Sequence, residues 1–330
     1  VDAPYLLFLG DARDDLAAKS AKGVQVWRPE RCLAQLSLPG CKTTLGLPEM
    51  SPPEAAAKGA RTMLVGVANA GGFIPDSWAK PMVEAVEAGL DVAAGMHSRL
   101  VDIPALKAAA ERRGRRLFDL RHPSREFGVG KGTKRSGKRL LTVGTDCSCG
   151  KMFTSLAIEK EMRARGWKAD FRATGQTGIM IAGDGVSVDA VVADFISGAT
   201  EWLAPANDPD HWDLIEGQGS LFHPSYAGVT LGLIHGSQPD ALVVCHEPTR
   251  SNMRGLPGWP LPSIAACIAA SETAAHLTNP AAKTVGLSVD TSRLSETEAR
   301  DLLKRLADEH GMPACDPLRT GVAAIVDRLA

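Results

Sequence analysis

Apolar residues along this chain alternate between two rhythms. Short runs rich in β-branched or aliphatic residues predict buried strands at 5–9, 24–27, 62–68, 90–94 and 116–120. Between them, wider spacings that keep one face apolar predict helices, notably at 80–88 and at 103–113, the latter stopped by Gly114. The second half repeats the alternation. A strand reaching Val143 leads into a helix at 153–165, closed by Gly166. Strands follow at 169–173, 212–215, 241–245 and 284–289, with helices expected at 186–196, 225–234, 262–270 and 295–310. In the last helix Ser295 and Glu298 have capping-box spacing, and Gly311 supplies the stop. Strand and helix in strict alternation predict α/β architecture: two three-layer domains, the first Rossmann-like and the second built like a P-loop NTPase on a parallel sheet.

The rhythm breaks between the halves. Residues 122–138 carry Pro123, Gly128, Gly130, Gly132, Gly137 and several basic side chains, with no apolar period. The expected division is therefore a Rossmann-like domain over 1–121, a linker over 122–138 and a P-loop domain over 139–330.

Composition narrows the possibilities. The chain has 330 residues, of which 44% are hydrophobic, so each half can bury a core. A net charge of -1 and only 5% aromatics argue against a nucleic-acid surface or base-stacking platform. No apolar run approaches the roughly 18 residues of a membrane span. The opening segment, VDAPYLLFLGDARD, lacks a basic region before its apolar stretch and reads as the first strand of a cytoplasmic protein. Seven cysteines in a chain of this length do not suggest a disulfide framework.

The stretch LLTVGTDCSCGKMFT, residues 140–154, carries the clearest chemistry. An apolar strand runs into Gly144, Thr145, Asp146, Cys147, Ser148, Cys149, Gly150, Lys151 and Met152, and then into a helix. Small residues let the backbone turn its N–H groups inward. The helix start adds positive partial charge, and a lysine follows the last glycine. This predicts a cradle for a phosphate-bearing ligand, ATP or a cofactor such as coenzyme A. Met152 stands where a plain P-loop has the Ser or Thr that ligates Mg²⁺, which weakens a conventional Mg·ATP reading.

Further motifs surround this one in sequence. Glu216 follows the strand 212–215 and precedes Gly217 and Gly219, a placement suited to holding Mg²⁺ or orienting a nucleophile. His223 lies seven residues on and is a candidate general base or substrate contact. Gln176 and Thr177, between Gly175 and Gly178, form a candidate ligand-facing loop. Arg250 and Arg254 are candidates for binding a carboxylate or phosphate. Asp184 is a candidate helix cap. The turns at 10–11, 69–72 and 95–97 are candidate cleft linings in the first half. No G-x-G-x-x-G follows a strand there, which counts against dinucleotide binding, and no metal site is expected.

The loop resembles that of dethiobiotin synthetase and its relatives. With GKM in place of GKT, and with EGQGSL at 216–221 followed by His223 and Pro224, the chain looks more specifically like a family long known as a domain of unknown function. That family includes the D-glutamate N-acetyltransferases of the DgcN type. The resemblance covers nearly the whole chain. It implies transfer of an acetyl group from acetyl-CoA to the amine of D-glutamate or a similar acidic D-amino acid. The loop would then hold the cofactor's phosphates, Glu216 or His223 would take the amine proton, and Arg250 or Arg254 would hold a substrate carboxylate. An acyl-accepting Cys147 or Cys149 is a variant of that scheme. The alternative is a kinase or ligase of the dethiobiotin-synthetase type using ATP and Mg²⁺. A homo-oligomer is expected for an enzyme of this size.

Overall fold

The computed structural model describes residues 1–15, 17–67, 72–123 and 125–330. The expected turn at 69–72 thus lies largely outside the described residues, while the strand placed at 62–68, described as far as residue 67, ends at Val65. The chain divides into two compact units, Val1–Ser124 with Gly175–Ala190, and Arg125–Thr174 with Val191–Ala330.

Among the described residues the first unit holds a five-stranded parallel sheet. Its strands are β1 (Tyr5–Gly10), β2 (Cys32–Ser37), β3 (Thr62–Val65), β4 (Asp91–Ala94) and β5 (Leu117–Asp119), in the order β2-β1-β3-β4-β5. Strands β1, β3 and β4 are buried throughout, as strands covered on both faces must be. Residues 24–27, expected as a strand, instead end the helix Lys19–Trp27, and β2 lies further on. Val24 and Val26 imitate a strand locally. The buried positions Ser20, Ala21, Gly23 and Val24, however, follow helical spacing, and that face decides the element.

The helix Gln176–Ala182 and the segment around it pack with this first unit rather than with the P-loop sheet, contrary to the expected division. Arg31 donates to the carbonyls of Ile181 and Ala182 at 3.2 and 3.0 Å, and the Ser20 and Thr177 hydroxyls are 3.0 Å apart.

The second unit carries a six-stranded parallel sheet of β6 (Lys138–Gly144), β7 (Ala169–Arg172), β8 (Trp212–Ile215), β9 (Ala241–His246), β10 (Lys283–Val289) and β11 (Ala314–Cys315). The order is β11-β10-β9-β6-β8-β7. Strand β6 is central. The chain moves from it toward β8 and β7 on one side, then crosses to β9 on the other. Such a reversal opens a crevice at the carboxyl ends of the strands beside it. Gly144 pairs with Cys245, so β6 and β9 end side by side, while Ile215 at the end of β8 pairs with Leu141, three residues earlier.

The helices of this unit include Lys151–Ala164, Ile196–Leu203, Ala227–Ser237, Ile264–His276 and Glu296–His310. The capping box at Ser295 and Glu298 forms, and Gly311 adopts φ 63°. Ala227–Ser237 is helical despite its glycines because Gly232 and Gly236 are the contact with Ile196 and Ser197. A Cβ on Gly236 would lie 2.3 Å from the Ser197 carbonyl oxygen, so the two backbones approach closely. The helix expected at 186–196 is replaced by single 3₁₀ turns at Val188–Ala190 and Ala193–Phe195. Asp184 caps no helix; its carboxylate accepts from the adjacent Gly185 N–H, and Gly185 has φ 148°. No helix among the described residues is long and apolar enough to cross a membrane.

Candidate active site

The loop after β6 is built as its residues dictate. Ser148 (φ 50°) and Gly150 (φ 96°) take left-handed conformations that fold the backbone back on itself, and Lys151 opens the following helix. Thr154 N donates to Gly150 O at 2.9 Å, closing the first turn of that helix. The amides of Lys151 and Met152 ahead of it face out of the helix end, as helix geometry requires. Gly144 leaves room for the loop: a Cβ there would meet Cys149 Sγ at 2.5 Å.

Side chains hold this shape from beneath. Lys151 is buried, and its Nζ donates to Asp146 O at 2.7 Å and to Cys149 Sγ at 3.6 Å. The Cys149 thiol donates to the same carbonyl at 3.1 Å. Thr142 receives the Gly217 N–H at 3.0 Å, tying the turn after β8 to β6. Gly217 has no space for a side chain, since a Cβ would lie 1.7 Å from Thr142 O and 2.9 Å from Lys151 Cδ. Thr154, near the missing Mg²⁺-ligand position, uses its hydroxyl on Gly150 O and Ser288 Oγ, at 2.9 and 2.7 Å.

Asp146 is the hub. It is fully buried, and its Oδ1 accepts from Cys147 N at 2.7 Å. Its Oδ2 accepts from Arg250 Nη1 and from the Arg254 backbone N–H, both at 2.8 Å. Arg250 also donates to Cys147 O at 2.7 Å and Ser148 O at 2.5 Å, while its Nε faces Glu247 at 2.8 Å. The guanidinium expected to bind substrate is therefore a staple across the loop. The Arg254 side chain is exposed, with its charge near Cys147.

His223 is buried and stacks against Tyr226 with centroids 4.5 Å apart. Its Nδ1 accepts from Ser225 N at 3.2 Å, and its Nε2 faces Arg254 O at 3.3 Å. Cys147 Sγ, a His223 ring nitrogen and an Asp146 carboxylate oxygen all lie within 4.8 Å of one another. Glu216 is buried at the end of β8, where Oε2 accepts from Thr174 N at 2.9 Å and its carbonyl accepts from Thr174 Oγ1 at 2.6 Å.

The residues from Gly144 to Met152, Glu216, His223, Arg250 and Arg254 thus belong to one end of the P-loop sheet. Gln176 and Thr177 belong to the first unit. Arg121 donates to Gln176 Oε1 at 2.7 Å, the Ser20 hydroxyl meets Thr177, and Gly95 presses against the Gln176 side chain, all inside the first unit. The two residues open the helix Gln176–Ala182, with Gly175 at its cap.

Residues 126–326 match a family model described as a domain of unknown function, the DUF1611 C-terminal P-loop domain. Residues 36–123 match its N-terminal Rossmann-like partner. The chain belongs to the DUF1611 family. A D-glutamate N-acetyltransferase of Tritonibacter scottomollicae is 56% identical over 330 residues, covering 100% of this chain and 99% of the relative. Another, from a Pseudoalteromonas species, is 50% identical over 329 residues with the same coverage. The crystal structure of a DUF1611 protein from Anabaena variabilis superposes with a TM-score of 0.86 at 30% identity, covering 99% of each chain.

Two residues of this DUF1611 site had no role assigned from sequence, although both stand in the motif that offered the arginines. His246 Nδ1 and Thr145 Oγ1 are 3.0 Å apart, and burial holds the imidazole below its usual pKa. Glu247 is the acid that orients Arg250. His246 ends a buried strand and Glu247 follows it, the position that should have singled them out.

Proposed function

We propose that this chain is an N-acetyltransferase that moves an acetyl group from acetyl-CoA to the amine of D-glutamate. The observation that carries the reading is full-length identity of 56% and 50% to two proteins of that name. The site chemistry agrees with it. Acyl transfer needs positive, N–H-lined ground for an anion, a group to manage a proton, and a cation for the acceptor's carboxylate. The loop with Lys151, the buried His223 and Glu216, and the exposed Arg254 supply these in turn.

Two anions of this reaction suit the loop: a phosphate of coenzyme A, or the oxyanion formed when the thioester carbonyl is attacked. Neither needs a hydroxyl ligand for Mg²⁺, so Met152 and the tied-back Thr154 are compatible with both. Calorimetric titration with acetyl-CoA and, separately, with Mg·ATP tests the reading, alongside chromatographic detection of N-acetyl-D-glutamate. The expected result is acetyl-CoA binding that is weakened in Lys151→Ala, with product formed from D-glutamate. Binding of Mg·ATP with acetyl-CoA silent would replace the reading with a phosphoryl-transfer or ligase activity.

A further inference from the structure

We propose that Cys147 itself accepts the acetyl group, with His223 managing the proton, so that the reaction passes through an acetyl-cysteine. This rests on the acetyltransferase reading and names the catalytic route within it.

The first support is what converges on the loop. A half-buried thiol, a buried imidazole and a carboxylate lie within 4.8 Å of one another. If the pyrophosphate of coenzyme A filled the loop, its thioester would sit a full pantetheine arm away from that thiol and imidazole. If the thioester carbonyl enters instead, each group meets a reacting atom. The amides at the start of the helix Lys151–Ala164, and the Lys151 charge behind them, then face the developing oxyanion.

The second support is the contrast among thiols. Cys149 is buried and its S–H is committed to Asp146 O; Cys245 and Cys267 are buried as well. Burial pushes the Cys267 thiol up to about 12, which leaves it inert near neutral pH. Cys147 is the reachable member. Burial raises its pKa too, while Lys151 and Arg254 pull it down and Asp146 works against them. It rests as a neutral thiol beside a base, the arrangement in which the proton leaves as the nucleophile attacks.

The third support is the polarity of the imidazole. Arg254 O can only accept, so Nε2 carries the hydrogen and the basic lone pair is on Nδ1. In the resting site Nδ1 accepts from the Ser225 amide at 3.2 Å, so in this scheme the Cys147 proton takes the place of that hydrogen bond. Arg254 O then steadies the imidazolium. A metal ion is a poorer occupant of the same cluster. Both Asp146 oxygens are already used, one of them by the Arg250 cation, which would have to leave.

The steps balance. The Cys147 proton passes to His223, sulfur attacks the acetyl carbonyl carbon, and the carbon–sulfur bond to coenzyme A breaks as its thiolate takes that proton back. The acceptor amine then attacks acetyl-Cys147 and loses a proton through His223, and the thiol is restored. Nothing is oxidised or reduced.

The test uses the wild-type protein with acetyl-CoA and no amine. The expected result is one acetyl group on the peptide containing Cys147 by mass spectrometry, exchange of label between acetyl-CoA and free coenzyme A, and discharge of the acetyl group when D-glutamate is added. Cys147→Ser and Cys147→Ala should carry no thioester. His223→Gln should slow acetylation by about 10²–10⁴-fold. Product formation by wild type with no labelled Cys147, no exchange and intersecting initial-velocity lines would overturn the inference and leave the acetyltransferase reading intact. Self-acetylation at Cys147 without N-acetyl-D-glutamate would instead keep the nucleophile and remove D-glutamate as acceptor. Absence of both product and label would remove both.

Discussion

Gly217 sets how tightly the site is built. Its Cα hydrogen occupies the gap between Thr142 O and the Lys151 stem, so Gly217→Ala should cost about 1–3 kcal/mol through overpacking and displace the lysine. Chemical denaturation and acetyl-CoA titration of the variant would show both effects together. Arg250 makes a different prediction. Its planar fork spans Asp146, Cys147 O and Ser148 O, which one ammonium cannot do, so Arg250→Lys should lose donor binding nearly as fully as Arg250→Ala. Recovery by lysine would mean that charge alone matters.

His246 links residue chemistry to pH. Burial lowers its pKa below the ordinary 6.5, with Glu247 opposing and Arg250 assisting. The unfolded chain therefore takes up this proton more readily than the folded one. The stabilisation is complete above the unfolded value and is lost as pH falls through the folded one. Denaturation midpoints measured from about pH 7.5 to 5 should fall more steeply in wild type than in His246→Asn. Parallel slopes would dismiss the effect.

At the scale of elements, what the sequence made legible were segments whose signals agreed. Residues 212–215 are a strand in reading and structure alike, and the helix at 296–310 has both its cap and its stop. Ser295→Ala should therefore cost about 1 kcal/mol, seen as a lower melting temperature with no change in acetyl transfer. Misreadings arose where local composition opposed tertiary placement. Val24 and Val26 look like strand residues but sit in a helix whose Ala21 lies against Gly66 and whose Gly23 lies against Thr177. The two-residue β11 is too short to show a period. The site followed the same rule. The loop was readable because its residues are contiguous, and Glu216 and His223 because they follow a strand end. Arg250 was recognised as a ligand for anions, yet its anion proved to be Asp146, more than a hundred positions away in the chain. No spacing rule shows that pairing.

The compact units differ from the expected division: the first is not a continuous stretch, and the segment expected as a linker belongs from Arg125 onward to the second. The first unit's helix Lys19–Trp27 packs with the helix Gln176–Ala182, where Gly23 leaves room for Thr177. A fragment of residues 1–124 lacks that helix and should expose Ser20 and Gly23, which face Thr177 in the full chain. It is expected to melt below the full chain or to aggregate, and circular dichroism of the two would show it.

That arrangement also bears on the order of events at the ribosome. Chains emerge at about 5–20 residues per second, and domains usually close in turn from the N-terminus. Here the first sheet can be complete in the nascent chain while one of its covering helices has still to be made. For several seconds the partial unit must stay open. Its closure waits until the phosphate loop and its helix, which come earlier in the chain than residue 175, have already left the exit tunnel.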